Sequence, residues 1–170
     1  KSAALEIIVG PNTKLSNPNP KLAFDAVKRM YPTFRHPQKI YAIFYSYKDI
    51  DWAQKKYSEI FSMTTGQEAK NSCRKANECW GASGTINNEG DGVLLTAVMQ
   101  KPDRHHSDGT LEAHEYMHAV QIGAFFHRRN SDRGDGDCGV VYVLLVKLSG
   151  KGFKIVLRNN FVNPYLKIFL

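Results

Sequence analysis

Apolar and polar positions along the chain fall into blocks that predict a succession of short elements. Ala4 to Val9 has the length and composition of a strand, and the Asn/Pro-rich stretch from Asn12 to Pro20 that follows reads as a loop. From Lys21 to Tyr31, the residues Leu22, Phe24, Ala26, Val27 and Met30 recur at roughly helical spacing until Pro32 stops the helix. Lys39 to Tyr47 is aromatic and β-branched, as a buried strand would be. Asp49 to Met63 returns to helical spacing through Ile50, Ala53, Tyr57, Ile60 and Phe61. Beyond a polar loop bearing Cys73 and Cys79, Ala82 to Asn87 and Val93 to Met99 read as two strands joined by the turn Asn88-Glu89-Gly90-Asp91-Gly92.

A nearly all-apolar helix comes next. Leu111, Met117, Val120, Ile122, Ala124, Phe125 and Phe126 supply its hydrophobic surface. Asp108, Gly109 and Thr110 are turn formers before it; Thr110 is the expected cap, and Glu112 suits the dipole of the first turn. This order predicts an α+β domain, a mixed sheet with helices packed on one side. The last part reads differently: Val140 to Val146 and Phe153 to Leu157 form a predicted hairpin around Ser149-Gly150-Lys151-Gly152. We therefore expect a main domain over 1–137 and an atypical basic, apolar tail over 138–170.

The apolar helix carries polar residues where chemistry would use them. His114 and His118 are four positions apart, so on a helix they lie about 40° apart on one face, one turn along the axis, and both rings can reach one cation. Glu115 is offset to the side, in the position of a general base. The alternative is two ordinary helix histidines paired with carbonyls or solvent. That alternative buries three polar groups without a metal, at a few kcal/mol each.

The segment Leu111-Glu112-Ala113-His114-Glu115-Tyr116-Met117-His118-Ala119-Val120-Gln121 resembles the active-site helix of the zincin metallopeptidases, with a flavour similar to gluzincin-like proteins of secreted bacterial type. The close match covers about a dozen residues. The resemblance implies a zincin fold, Zn2+ as cofactor, His114 and His118 as zinc ligands, and Glu115 as the base in peptide-bond hydrolysis by a zinc-activated water. It implies a peptide or protein substrate bound along an edge strand, for which Val93 to Met99 is the candidate, and a secreted or extracytoplasmic location.

Such a site needs a third protein ligand. In the gluzincin pattern it is a glutamate downstream, yet no glutamate follows Glu115. The metzincin pattern is excluded, because Gln121 and Ala124 stand where it requires Gly and His. His127, nine positions after His118, faces away from it on a continuous helix and could ligate only if the helix breaks near Gly123. Asp132, Asp135 and Asp137 are further candidates, set against the reading of their run as a solvated surface turn or, with too few ligands, a calcium loop. Tyr142 and His127 are the oxyanion-stabilising candidates. A non-catalytic zincin-like module, structural or binding, is the alternative function, and a small basic binding protein with an accidental motif is a second.

Charge narrows these options. The chain carries 23 basic and 16 acidic residues, net +7, but residues from Cys138 onward hold Lys147, Lys151, Lys154, Arg158 and Lys167 and no acid. The preceding part is close to neutral. No Lys/Arg stripe interleaved with aromatics runs through it, which argues against a nucleic-acid partner. The tail's runs are too short to span a bilayer as a helix. Together with the missing glutamate, its composition suggests an altered or out-of-frame ending, and a start at Lys1 without an apolar signal run suggests a mature or trimmed segment.

The remaining candidates are local. Cys73 and Cys79 sit in a polar loop at a separation that can close a small disulfide ring, the competing reading being two free thiols; Cys138 is left over. His105, His106 and His36 are expected to be solvent-exposed loop histidines. Trp52 and Trp80 are expected as core or loop anchors.

Overall fold

The computed structural model describes residues 4–61, 66–131, 142–149 and 152–159. The chain divides into two compact units, Lys1–His127 and Arg128–Leu170. In the first, β1 (Ala4–Val9), α1 (Pro20–Met30), β2 (Lys39–Ser46), a 3-10 turn (Tyr47–Asp49) and α2 (Ile50–Phe61) follow in order. Then come α3 (Glu68–Ser72), β3 (Cys73–Lys75), β4 (Glu78–Cys79), β5 (Gly81–Ile86), β6 (Gly92–Val98), α4 (Arg104–Ser107) and α5 (Thr110–Ser131). The second unit contains an antiparallel hairpin of β7 (Tyr142–Ser149) and β8 (Gly152–Asn159), registered from Tyr142↔Asn159 to Ser149↔Gly152.

The domain is mixed α+β, built on a four-stranded sheet in the order β1-β2-β6-β5. β1, β2 and β6 are parallel, with Val9 beside Phe44 and Ser46 beside Val98, and β5 returns antiparallel to β6. Strand periodicity sends alternate side chains to opposite faces. Ile43 and Tyr45 of β2 and Val93, Leu95 and Ala97 of β6 form one buried cluster with Ala53 and Tyr57 of α2, Ala69 of α3, and Cys73 and Cys79.

The opposite face carries the motif helix. Leu111 and Glu112 of α5 meet Phe44, Thr96 and Val98 there, and Phe24 of α1 packs edge-on against Tyr116 with ring centroids 5.4 Å apart. Helices therefore cover both faces rather than the one side expected. The reason is visible in β6, where every residue from Gly92 to Val98 is buried, a run apolar but for Thr96 that needs cover on both sides.

The same burial corrects the expected edge strand. β6, which covers most of Val93 to Met99, is internal, between β2 and β5, and β5 is the terminal strand on that side, as β1 is on the other. Residues of β5 are small or hydroxylated, Gly81, Ser83, Gly84 and Thr85 among them. Gly84 is required as glycine: a Cβ there would overlap the backbone carbonyl of Glu115 on α5. The motif helix thus lies directly on the edge strand.

Asp49, almost wholly buried, organises the carboxyl end of the sheet. Its Oδ2 accepts from the Asn12 backbone N–H at 3.0 Å and from the Thr13 hydroxyl, and its Oδ1 accepts from Asn12 Nδ2 at 2.8 Å. Thr13 Oγ1 in turn accepts the Ser46 backbone N–H at 2.7 Å, so the loop after β1 is tied to the end of β2.

Two substitutions test this frame. Gly84→Ala should cost about 3 kcal/mol or more in denaturant unfolding, because the obstructing atom is backbone and cannot rotate away. Gly66→Ala, whose Cβ would make only ordinary contact with Glu68, should stay within about 0.5 kcal/mol of wild type. Asp49→Ala leaves its donors without their charged acceptor and should lower stability by about 3 kcal/mol in the same assay.

Candidate functional site

The motif helix begins at Thr110 with local chemistry that differs from expectation. Asp108 supplies the cap, its Oδ1 accepting the Thr110 backbone N–H at 2.9 Å, and Gly109 turns the chain in the left-handed region at φ 84°. A left-handed residue between cap and helix favours glycine, and a Cβ there would also press on Ala23 of α1 at 3.1 Å. From that start the helix runs unbroken to Ser131. The break near Gly123 that His127 would need to join His114 and His118 is absent. Asp132, Asp135, Asp137 and Cys138 lie outside the described residues.

His114 and His118 come together as the four-residue spacing predicts. Their Nε2 atoms are 3.0 Å apart, with the rings nearly perpendicular at 84°. Two zinc–nitrogen bonds of about 2.0–2.1 Å at a tetrahedral angle separate their nitrogens by about 3.3–3.4 Å, so the observed spacing needs only a few tenths of an ångström of adjustment. His114 is half-buried, while His118 reaches solvent. Desolvation lowers the pKa of both rings; the neighbouring His118 lowers His114 further, and a hydrogen bond with Gln121 partly offsets the effect at His118. Both imidazoles are therefore held neutral near pH 7, the form whose lone pair can bind a metal.

Glu115 lies on the inner side of the same turn, only 4% exposed. Burial pushes its carboxyl up to about 8. The Tyr45 and Tyr57 phenols are raised chiefly by their own burial, and the Glu115 charge adds to both shifts. Tyr57 Oη shares a 3.0 Å hydrogen bond with Ser83 Oγ of β5. Sequence reasoning did not find this pairing of the glutamate with a tyrosine-lined interior and a glycine edge. The period-two pattern of β2 and the small residues of β5 were the available signals.

Among the described residues, no group of three or more His, Cys, Asp and Glu side chains is placed to hold a metal. Apart from Glu115, the nearest acid in sequence, Glu112, is buried and turned to the sheet, where its Oε1 accepts from Asn17 Nδ2 at 3.2 Å. Among the described residues the donor set is thus two convergent neutral imidazoles, which fit two of the positions around a zinc ion.

Other histidines serve the scaffold, contrary to the expectation of exposed loop residues. His106 is buried in α4 rather than exposed in a loop. Its Nδ1 lies 2.6 Å from Asp103 Oδ1 and its Nε2 3.1 Å from the Cys79 carbonyl. The Asp103 carboxyl is held below its ordinary value, first by this side-chain hydrogen bond. His36 bridges Tyr116 Oη at 2.9 Å and the Tyr31 carbonyl at 2.8 Å, beneath the motif helix. Only His105 is exposed as expected.

Cys73 and Cys79 form a disulfide, and Trp52 packs against the buried cluster beside them. Trp80, expected as an anchor, is 63% exposed. No helix among the described residues is long and apolar enough to cross a membrane. Comparison of the chain with protein-family models, with curated proteins and with solved structures gives no match.

His106→Ala separates support from ligation. It should cost about 2 kcal/mol by removing the ring that meets the Cys79 carbonyl, while the Asp103 carboxylate keeps the backbone N–H of residue 106. Zinc uptake measured by equilibrium dialysis should stay at the wild-type level, whereas His114→Ala should reduce it sharply.

Proposed function

We propose that this domain is a zincin-like zinc hydrolase acting on peptide bonds, with His114 and His118 as two zinc donors and Glu115 as the general base. The observation that carries the reading is the convergence of two neutral Nε2 atoms at 3.0 Å on a helix turn whose next residue is a buried glutamate. Zinc in such a site supplies a Lewis acid that polarises a carbonyl and makes water acidic.

The chain's own residues contribute the rest. His114 and His118 orient the site through one rigid turn, and Gly84 lets that turn sit against β5. Glu115, with its carboxyl raised by burial, is tuned toward neutral pH, where a general base and acid works best. β5 ends the sheet, so an extended peptide would pair with its outer edge and run past the motif turn. A disulfide in a small domain fits the oxidising setting of a secreted or extracytoplasmic enzyme.

A second reading, a non-catalytic zincin-like module, is favoured by one observation: the described residues supply no third metal-binding side chain. Zinc stoichiometry combined with a casein or peptide cleavage assay separates the two. For the enzyme, wild type binds zinc and cleaves, and Glu115→Gln keeps its zinc while activity falls by about 10²–10⁴-fold. Equal activity in wild type and variant would end the hydrolase reading, and zinc binding without cleavage would favour the module.

A further inference from the structure

The carboxyl ends of β1, β2 and β6 open into a cleft of about 480 Å³ that contains no residue of the motif helix. Its size is in the range of small-molecule sites, and its position follows a general rule for parallel strands, which leave a crevice outside their carboxyl ends. Lys14 and Lys48 both line it, and no carboxylate is among its lining residues. None of the ion pairs among the described residues uses either lysine.

Further features make this a built site rather than a gap between loops. Ser16 and Ser46 bring hydroxyls to the cleft, and Ser46 stands immediately before the 3-10 turn Tyr47–Asp49 that leads into α2. The loop bearing Lys14 is fixed to that helix start by the Asp49 and Thr13 hydrogen bonds described above, so the two cations are presented by one braced frame. Tyr47 stands exposed on the wall and Met99 adds an apolar surface, which suits a planar body attached to the anion. Lysine is a point-charge partner that serves phosphate well.

We propose that this cleft binds a phosphomonoester carrying a planar ring, its phosphate between Lys14 and Lys48 and its ring against Tyr47. The site is separate from the His114/His118 turn, and the proposal stands whether or not that turn holds zinc. Adenosine 5′-monophosphate is the probe, titrated calorimetrically into the full chain with and without EDTA. We expect saturable binding that EDTA does not alter, and a loss of about tenfold or more in Lys14→Gln/Lys48→Gln. Adenosine, lacking the phosphate, should bind at least about tenfold more weakly. Lys55→Gln, a charge removal elsewhere on α2, should leave the affinity unchanged.

Amide shifts on titration, read by NMR on the wild type, provide a check that does not rely on variants and should centre on Tyr47, Lys48 and Gln100. No binding at millimolar probe, binding abolished by EDTA, an unchanged affinity in the double variant, or shifts centred on His114 and His118 would each overturn the proposal.

Discussion

The close approach of the Glu115 backbone to Gly84 sets the position of the turn that carries His114, Glu115 and His118. A helix can come this near a strand only where the strand has no side chain, and β5 provides that at one place. The contact fixes the height and rotation of α5 above the sheet. It thereby turns Glu115 inward while His118, nearly a full turn later, reaches solvent. Phe24 against Tyr116 and His36 on the Tyr116 hydroxyl hold the helix from α1 and from the loop beyond it. Two histidines that sequence spacing makes neighbours are thus given a fixed place beside an open sheet edge.

Burial on both sides of β6 explains much of the remaining architecture. A strand without a polar face needs one layer of helices above and another below. α2, α3 and the disulfide loop supply one layer, and α5, buttressed by α1, lies over the other face. The cost of this arrangement is that polar groups near the strand ends lose water. Most are matched within the protein instead, Asp49 by Asn12 and Thr13 and His106 by Asp103 and the Cys79 carbonyl, whereas Glu112 Oε2 is buried without a partner.

Elements whose signal is periodic were legible in the sequence. Ala4–Val9 is recovered at both ends, and α1, β2, β5 and β6 within about a residue, because apolar spacing determines local structure where burial is strong. The facing of His114 and His118 was legible for the same reason. What sequence could not supply is how elements stack. The resemblance to zincins puts Val93 to Met99 at a sheet edge, whereas its nearly continuous apolar run, interrupted only by Thr96, is the cue to its internal position. His106 and His36 looked like loop histidines because their partners, the Cys79 and Tyr31 carbonyls and the Tyr116 hydroxyl, are backbone or distant groups that no local window contains. The Glu115 environment was illegible likewise, since it is made by Tyr45, Tyr57 and Gly84 from three other elements.

The pairing register of the sheet also bears on how the first unit comes together. β5 and β6 face each other across a short turn, Ile86 opposite Gly92, so their pairing closes a small loop. β2 meets β6 only by joining Ile40 to Gly92, and β1 meets β2 by joining Ala4 to Lys39, each across a long stretch of chain. Loop-closure entropy favours the near pairing first and makes the far ones slow. The platform on which Glu115 rests is therefore the cheapest part of the sheet to assemble, and the motif helix, next in the chain, can find its seat before the parallel strands close over the other side.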